Sequence, residues 1–200
     1  MTDDNAALRV LGVDPGTRVA GFGVLDVVPG RDPVVVECGG LRLKGRELPD
    51  RLLELHDGLA AVIARHSPSI LAVETVFHGK SFDSVLKVGE ARGVVLLVGA
   101  ANGLEIHQYA PALVKKTTTG NGRASKQQVQ RMIVRLLGLD HTPEPVDATD
   151  ALAIAFCYAR RLWRRGVEPR PDTPLRAALS ELRSKNKKPK KKRNPSRGTI

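Results

Sequence analysis

Four carboxylates stand where packing alone gives little reason for them. Asp14 closes the apolar run Val10-Leu11-Gly12-Val13, and Glu74 closes Leu71-Ala72-Val73. Asp147 and Asp150 are three residues apart, which puts both on one face of a helix. Each has a structural explanation of its own. Asp14 suits an Asx-type turn with Gly16-Thr17, Glu74 suits a strand end facing water, and Asp147 with Asp150 suit the N-cap and N3 places of a helix start. As a set they point elsewhere. Strand ends and the start of an adjacent helix converge at one edge of a sheet, and four carboxylates meeting there repel unless a cation neutralises them. Hard oxygen donors select Mg²⁺ or Mn²⁺ over zinc. Two such ions about 3.5–4 Å apart form a phosphodiester-cleaving arrangement, one activating water and the other stabilising the leaving oxygen.

The elements that must position these acids follow from hydrophobic periodicity. Residues 9–15 read as a buried strand ending in a Gly/Pro turn, and 19–28 and 33–43 as two more, joined by links short enough for an antiparallel meander. Over 48–66, Leu52, Leu55, Leu59, Val62 and Ile63 recur at helical spacing, and Ser67-Pro68 ends that helix. A short apolar strand over 70–74, a long and largely apolar helix over 81–101, and a strand over 104–109 come next. A helix over 125–137 carries Val129, Met132, Ile133, Leu136 and Leu137 on one face. Beyond the loop Pro143-Glu144-Pro145, the last helix runs from Asp147 to about Arg165 and is so apolar through 151–156 that it must be buried. Its stripe Asp147, Asp150, Ala151, Ile154 and Tyr158 carries both acids. The order βββαβαβαα predicts a mixed α/β sheet covered by helices.

The charge of the chain is unevenly placed. Its 200 residues carry a formal charge of +11. Residues 1–159 hold 17 Lys and Arg against 18 Asp and Glu, a net of −1, whereas residues 160–200 hold 15 against 3, a net of +12. Residues 183–200 include nine basic residues, no acid and almost nothing apolar, so a tail there cannot bury a core. We therefore expect a folded domain over 1–166 and a basic, disordered tail over 167–200, acting either as a solubilising segment or as a phosphate-binding arm. Aromatic residues make up only 4%, which disfavours a single-strand binder built on base stacking. No apolar run reaches membrane-span length, the opening Met1-Thr2-Asp3-Asp4-Asn5 is unlike a secretory signal, and Cys38 and Cys157 form no zinc spacing. A reducing cytoplasm and two buried, apolar cysteines are the expectation.

Within the nearly neutral portion, residues 106–139 contain no acid but six bases: Lys115, Lys116, Arg123, Lys126, Arg131 and Arg135. The segment 117–122 (TTTGNG) reads as a short Gly-rich loop, and the following helix start offers free N–H groups to a phosphate. The plainer alternative is a solvated helix face.

The segments Leu11-Gly12-Val13-Asp14-Pro15-Gly16-Thr17-Arg18-Val19-Ala20-Gly21-Phe22-Gly23-Val24, Ala72-Val73-Glu74-Thr75-Val76-Phe77, Ala91-Arg92-Gly93-Val94, Tyr109-Ala110-Pro111 and 147–155 (DATDALAIA) resemble, in order and spacing, the RuvC-type Holliday junction resolvases. The resemblance spans about residues 9–161. It implies a ribonuclease H-like fold: a mixed five-stranded sheet, three antiparallel strands then two parallel, flanked by helices. It implies Asp14, Glu74, Asp147 and Asp150 as catalytic metal ligands for Mg²⁺, with two ions per subunit on substrate and Mn²⁺ as a substitute. It also implies a homodimer, dimerising through the helix over 81–101, that cuts four-way junctions symmetrically on two strands of like polarity and works with a branch-migration helicase of the RuvA and RuvB type. Lys115 and Lys126 match basic family positions near the scissile DNA, and Phe77 matches an aromatic suited to wedging into junction bases. Lys80, Lys116 and Arg123 complete the expected DNA contacts. The Lys-rich run is outside the family pattern. Three other readings are a sugar-kinase or actin-like phosphotransferase built on the Asp14-Pro15-Gly16-Thr17 turn, a non-catalytic nucleic-acid module, and an RNA-processing relative.

Overall fold

The computed structural model describes residues 7–29, 31–75 and 82–165. In chain order the elements are β1 (Leu8–Asp14), β2 (Val19–Val27), β3 (Val34–Arg42), α1 (Leu48–His66), β4 (Ile70–Glu74), α2 (Phe82–Ala101), β5 (Glu105–Tyr109), α3 (Pro111–Thr119), α4 (Lys126–Leu136) and α5 (Val146–Arg165). The chain divides into two units, Met1–Val167 and Glu168–Ile200, and all described residues belong to the first. The expected tail over 167–200 lies outside them.

The five strands form one sheet in the order β3-β2-β1-β4-β5. The β1–β2 and β2–β3 pairs are antiparallel, and the β1–β4 and β4–β5 pairs are parallel. This is the expected ribonuclease H-like arrangement. Short links allow the antiparallel meander, whereas the parallel strands need crossovers, which α1 and α2 supply.

Both faces of the central strand are covered. Val10 packs with Ile70, Ala72, Leu152 and Ile154 in one core layer, and Leu11 and Val13 pack with Leu55, Leu59, Val95 and Val98 in the other. Side chains alternate across a strand, so Val10, Gly12 and Asp14 face α5, as do Ile70, Ala72 and Glu74. The antiparallel register sets Gly21 opposite Asp14 and Gly23 opposite Gly12. Glycine at these places gives α5 a floor without side chains. A Cβ on Gly12 would strike the Ala151 carbonyl oxygen, one on Gly21 the Asp147 carbonyl, and one on Gly23 the Leu152 side chain. The helix therefore lies directly on the backbones of β1 and β2, with its first turn over the end of β1.

Three expectations need correction, the first being the order βββαβαβαα, because three helices and not two follow β5. Residues 117–119 are not loop but the last turn of α3, which closes on Gly120 at φ 80°. A threonine run has poor intrinsic helix propensity. Here Val114 and Thr118 are buried, and the Thr118 and Thr119 hydroxyls each donate to a carbonyl one turn back at 2.8 Å. Burial thus overrides propensity, and the loop shrinks to the residues between Gly120 and the Ser125 cap. Cys157 is buried, but Cys38 is only partly so, because it sits on the edge strand β3.

Candidate active site

The strand pleat and the glycine floor deliver three carboxylates to one place. Asp14, Asp147 and Asp150 each offer a ligand oxygen, and these oxygens all lie within 4.8 Å of one another. Glu74 stands outside that group but lines, with Asp14 and Asp150, a cleft of about 520 Å³. Arg92, Lys115 and Lys126 supply its cationic wall. Asp147 belongs to the cluster without lining the cleft.

The charges are placed against their own preference. Burial pushes the Asp14 carboxyl up to about 7, and the neighbouring Asp150 and Glu74 charges add to the rise while Lys126 opposes it. Burial also raises Asp150, against the hydrogen bond and charge of Lys126, whose ammonium lies 2.5 Å from an Asp150 oxygen. Burial acts to lower Lys126, but the bond to Asp150 and the charges of Asp150, Asp14 and Asp147 outweigh it and raise the ammonium above its usual range.

Lys126 reaches this position because α4 begins there. Ser125 caps the helix: its hydroxyl accepts from the Gln128 N–H at 3.2 Å, and its own N–H donates to the Gln128 side chain at 2.8 Å. This capping box fixes the first turn, with Lys126 as its first residue.

The donor set is chemically uniform. It consists of carboxylate oxygens, with no histidine or thiolate, partly buried and mutually repelling. Such a cluster fits a hard divalent cation, whose charge offsets both the burial that drives Asp14 upward and the repulsion that adds to it. Asp14, Asp147 and Asp150 would hold it, with Glu74 facing them from the cleft wall.

The remaining expected site residues are less concentrated. Lys115 on α3 lines the cleft with Lys126. Lys116 and Arg123 are exposed and are not among its lining residues. Phe77 and Lys80 lie outside the described residues. Sequence reasoning gave no role to Arg92, although it is the last charged residue of α2 and is followed by the uncharged stretch 93–101. It also missed the function of Gly12, Gly21 and Gly23, for which the period-two spacing of Gly21 and Gly23 on β2 was the available signal.

The chain matches the family model for "Crossover junction endodeoxyribonuclease RuvC" over residues 10–158. It belongs to the RuvC family. The RuvC of Chromohalobacter salexigens is 42% identical, covering 84% of this chain and 90% of that relative. The RuvC of a Nocardioides species is 40% identical, covering 89% of this chain and 99% of that relative. Among solved structures, Thermus thermophilus RuvC in complex with a Holliday junction substrate superposes with a TM-score of 0.73 at 31% identity, covering 82% of this chain and 99% of that one. The yeast mitochondrial Holliday junction resolvase, at 12% identity and a TM-score of 0.57, shares the fold. RuvC membership displaces the sugar-kinase reading of the Asp14 turn. Among the described residues no helix is long and apolar enough to cross a membrane.

Proposed function

We propose that this chain is an endonuclease that resolves four-way (Holliday) DNA junctions by metal-dependent phosphodiester hydrolysis. The observation that carries the reading is the convergence of Asp14, Asp147 and Asp150 in a RuvC-family chain, beside a cleft that also holds Glu74 and Lys126. Asp14, Glu74, Asp147 and Asp150 hold Mg²⁺, two ions per subunit on substrate, with Mn²⁺ as a substitute. Bound cations supply Lewis-acid activation of the attacking water and the leaving oxygen. The chain's own groups do the rest. The carboxylates would hold the cations and through them set where the scissile phosphate sits. Lys126 exchanges Asp150 for the phosphate once the carboxylates are neutralised, and Lys115 steadies the same phosphate from α3.

The working unit in this reading is a homodimer with its two sites facing strands of like polarity. Support comes from α2, where Leu86 and Leu97 are 53% and 63% exposed. Gly89 and Gly93, on the same helix, have open space above them, so a second helix can approach closely. Phe77, Lys80, Lys116 and Arg123 extend the DNA contact, the tail over 167–200 adds phosphate affinity to the nuclease domain over 1–166, and a RuvA and RuvB type helicase is the partner in the cytoplasm.

The test is cleavage of a four-way DNA junction, a linear duplex and an RNA–DNA hybrid side by side, in Mg²⁺ and in Mn²⁺. Paired nicks confined to the junction are expected, and Asp14→Asn should bind the junction without cutting it. Preferential cutting of the hybrid would favour an RNA-processing role, and no cutting with either metal would leave a binding module.

A further inference from the structure

Asp14 and Glu74 end neighbouring strands, yet their main chains are held differently. Asp14 pairs with Gly21 in the β1–β2 ladder. The β1–β4 ladder stops one residue earlier, at Val13 and Val73. On its β5 side Glu74 is in register with Tyr109, and there the Thr75 N–H donates to the Tyr109 carbonyl at 2.8 Å. The Glu74 carbonyl accepts from the Nε of Arg92 at 3.0 Å. The same guanidinium donates through Nη2 to the side-chain oxygen of Gln108, the residue before Tyr109 on β5.

Arg92 is well placed to act as a rigid tie. It follows the fully buried Ala91, and Val95 and Val98 seat the next turns of α2 in the core. A planar guanidinium on such a base spans two acceptors on adjacent strand ends, which a lysine ammonium on a flexible stem does not reproduce. Its flank also forms part of the cleft wall.

We propose that Arg92 is a positioning residue for Glu74: it clamps the ends of β4 and β5 to α2 and so aims the Glu74 carboxylate at the aspartate cluster. The inference rests on the nuclease reading of the cleft and names a residue that acts through a carboxylate rather than on the DNA.

The experiment measures Mn²⁺ binding to the full chain by calorimetry without DNA, junction affinity without divalent metal, and single-turnover cleavage against Mg²⁺ concentration. Arg92→Ala should weaken Mn²⁺ binding ~10–100-fold, as loss of a group supporting a metal ligand does. The Mg²⁺ needed for half-maximal cutting should rise with it, and junction affinity should hold within about twofold. Arg92→Lys should recover only part of the loss, and Gln108→Ala should shift Mn²⁺ binding the same way by less. In a Glu74→Gln background, Arg92→Ala should add less than about twofold, because the two changes act on one unit.

Weakened junction binding with unchanged Mn²⁺ affinity would overturn the proposal in favour of a direct phosphate contact. Independent, multiplying effects of the Arg92 and Glu74 changes would overturn it too. If Arg92→Ala fails to fold, wild-type Mn²⁺ affinity in both Arg92→Lys and Gln108→Ala would do the same. A wild-type chain that cuts nothing in either metal would sink the nuclease reading instead, and the calorimetry would still decide the role of Arg92.

Discussion

Replacing Asp14 by asparagine should stabilise the metal-free protein, and the gain should grow with pH. The folded state holds the Asp14 carboxyl at about 7, against an ordinary value of 3.8, mainly through burial and then through the Asp150 and Glu74 charges. The folded chain thus binds this proton more tightly than the unfolded chain. Stability from the group is present at low pH and is lost as pH rises through the window between those two values. Three pKa units at ~1.4 kcal/mol each make the ionised carboxylate a cost of about 4 kcal/mol at pH 8. At pH 5 the unfolded chain is already ionised and the folded chain is not, so a cost of about 2 kcal/mol remains. Asparagine keeps the shape and never ionises. Its advantage should widen by roughly 2–3 kcal/mol between pH 5 and pH 8, which for a chain of this size is about 5–10 °C in Tm. Scanning calorimetry in chelator at several pH values measures it. Added Mg²⁺ should close the gap, because the wild type gains more binding free energy than the variant. An advantage independent of pH, or a destabilised variant at pH 8, would refute the account of the cluster as a set of repelling charges awaiting a cation.

Other outcomes follow from the same geometry. Lys126→Met should abolish most cutting and lower metal-free stability at pH 8 by about 1 kcal/mol, since Asp14 and Asp150 lose their opposing charge; chemical denaturation checks this. Gly12→Ala should cost about 3 kcal/mol and depress cleavage with it, because its methyl meets the Ala151 carbonyl and α5 must lift from the sheet. Urea melts and single-turnover assays on one preparation test both effects. Deleting residues 183–200 should lower DNA affinity and flatten its salt dependence while leaving the junction preference intact. Affinity titrations on junction and duplex across a salt series would expose the opposite result.

Much of this architecture was legible because the signals are local. Residues 48–66 alternate at helical spacing and form α1 over that range, and Ile-Leu-Ala-Val-Glu forms β4. The sequence drew attention to Asp14 and Glu74 because a carboxylate closing an apolar run is expensive without a partner, and to Asp147 and Asp150 because their spacing puts both on one helix face. The α3 helix was missed because its C-terminal turn is threonine, and only the burial of Val114 and Thr118 makes it helical. Arg92 was invisible for another reason. Its partners, a carbonyl on β4 and an amide on β5, are brought to it by strand register, which side-chain periodicity does not reveal. That Lys115 and Lys126 line the cleft while Lys116 and Arg123 do not likewise depends on how α3, the loop after it and the start of α4 are packed, which the spacing of charges does not reveal.

The glycine floor beneath α5 has a consequence for how this site can change. Where helix and sheet meet through side chains, a substitution on one side can be absorbed by repacking on the other, and the helix drifts. At Gly12 and Gly21 the opposing atoms are main-chain carbonyls of Ala151 and Asp147, which have no rotamers to adjust. The spacing between Asp14 and the two helical aspartates is therefore uncoupled from most variation in the surrounding core. Libraries that randomise the apolar positions of α1 and α2 should yield many active proteins of differing stability. The same libraries at Gly12 and Gly21 should yield almost none, however well the rest of the chain folds.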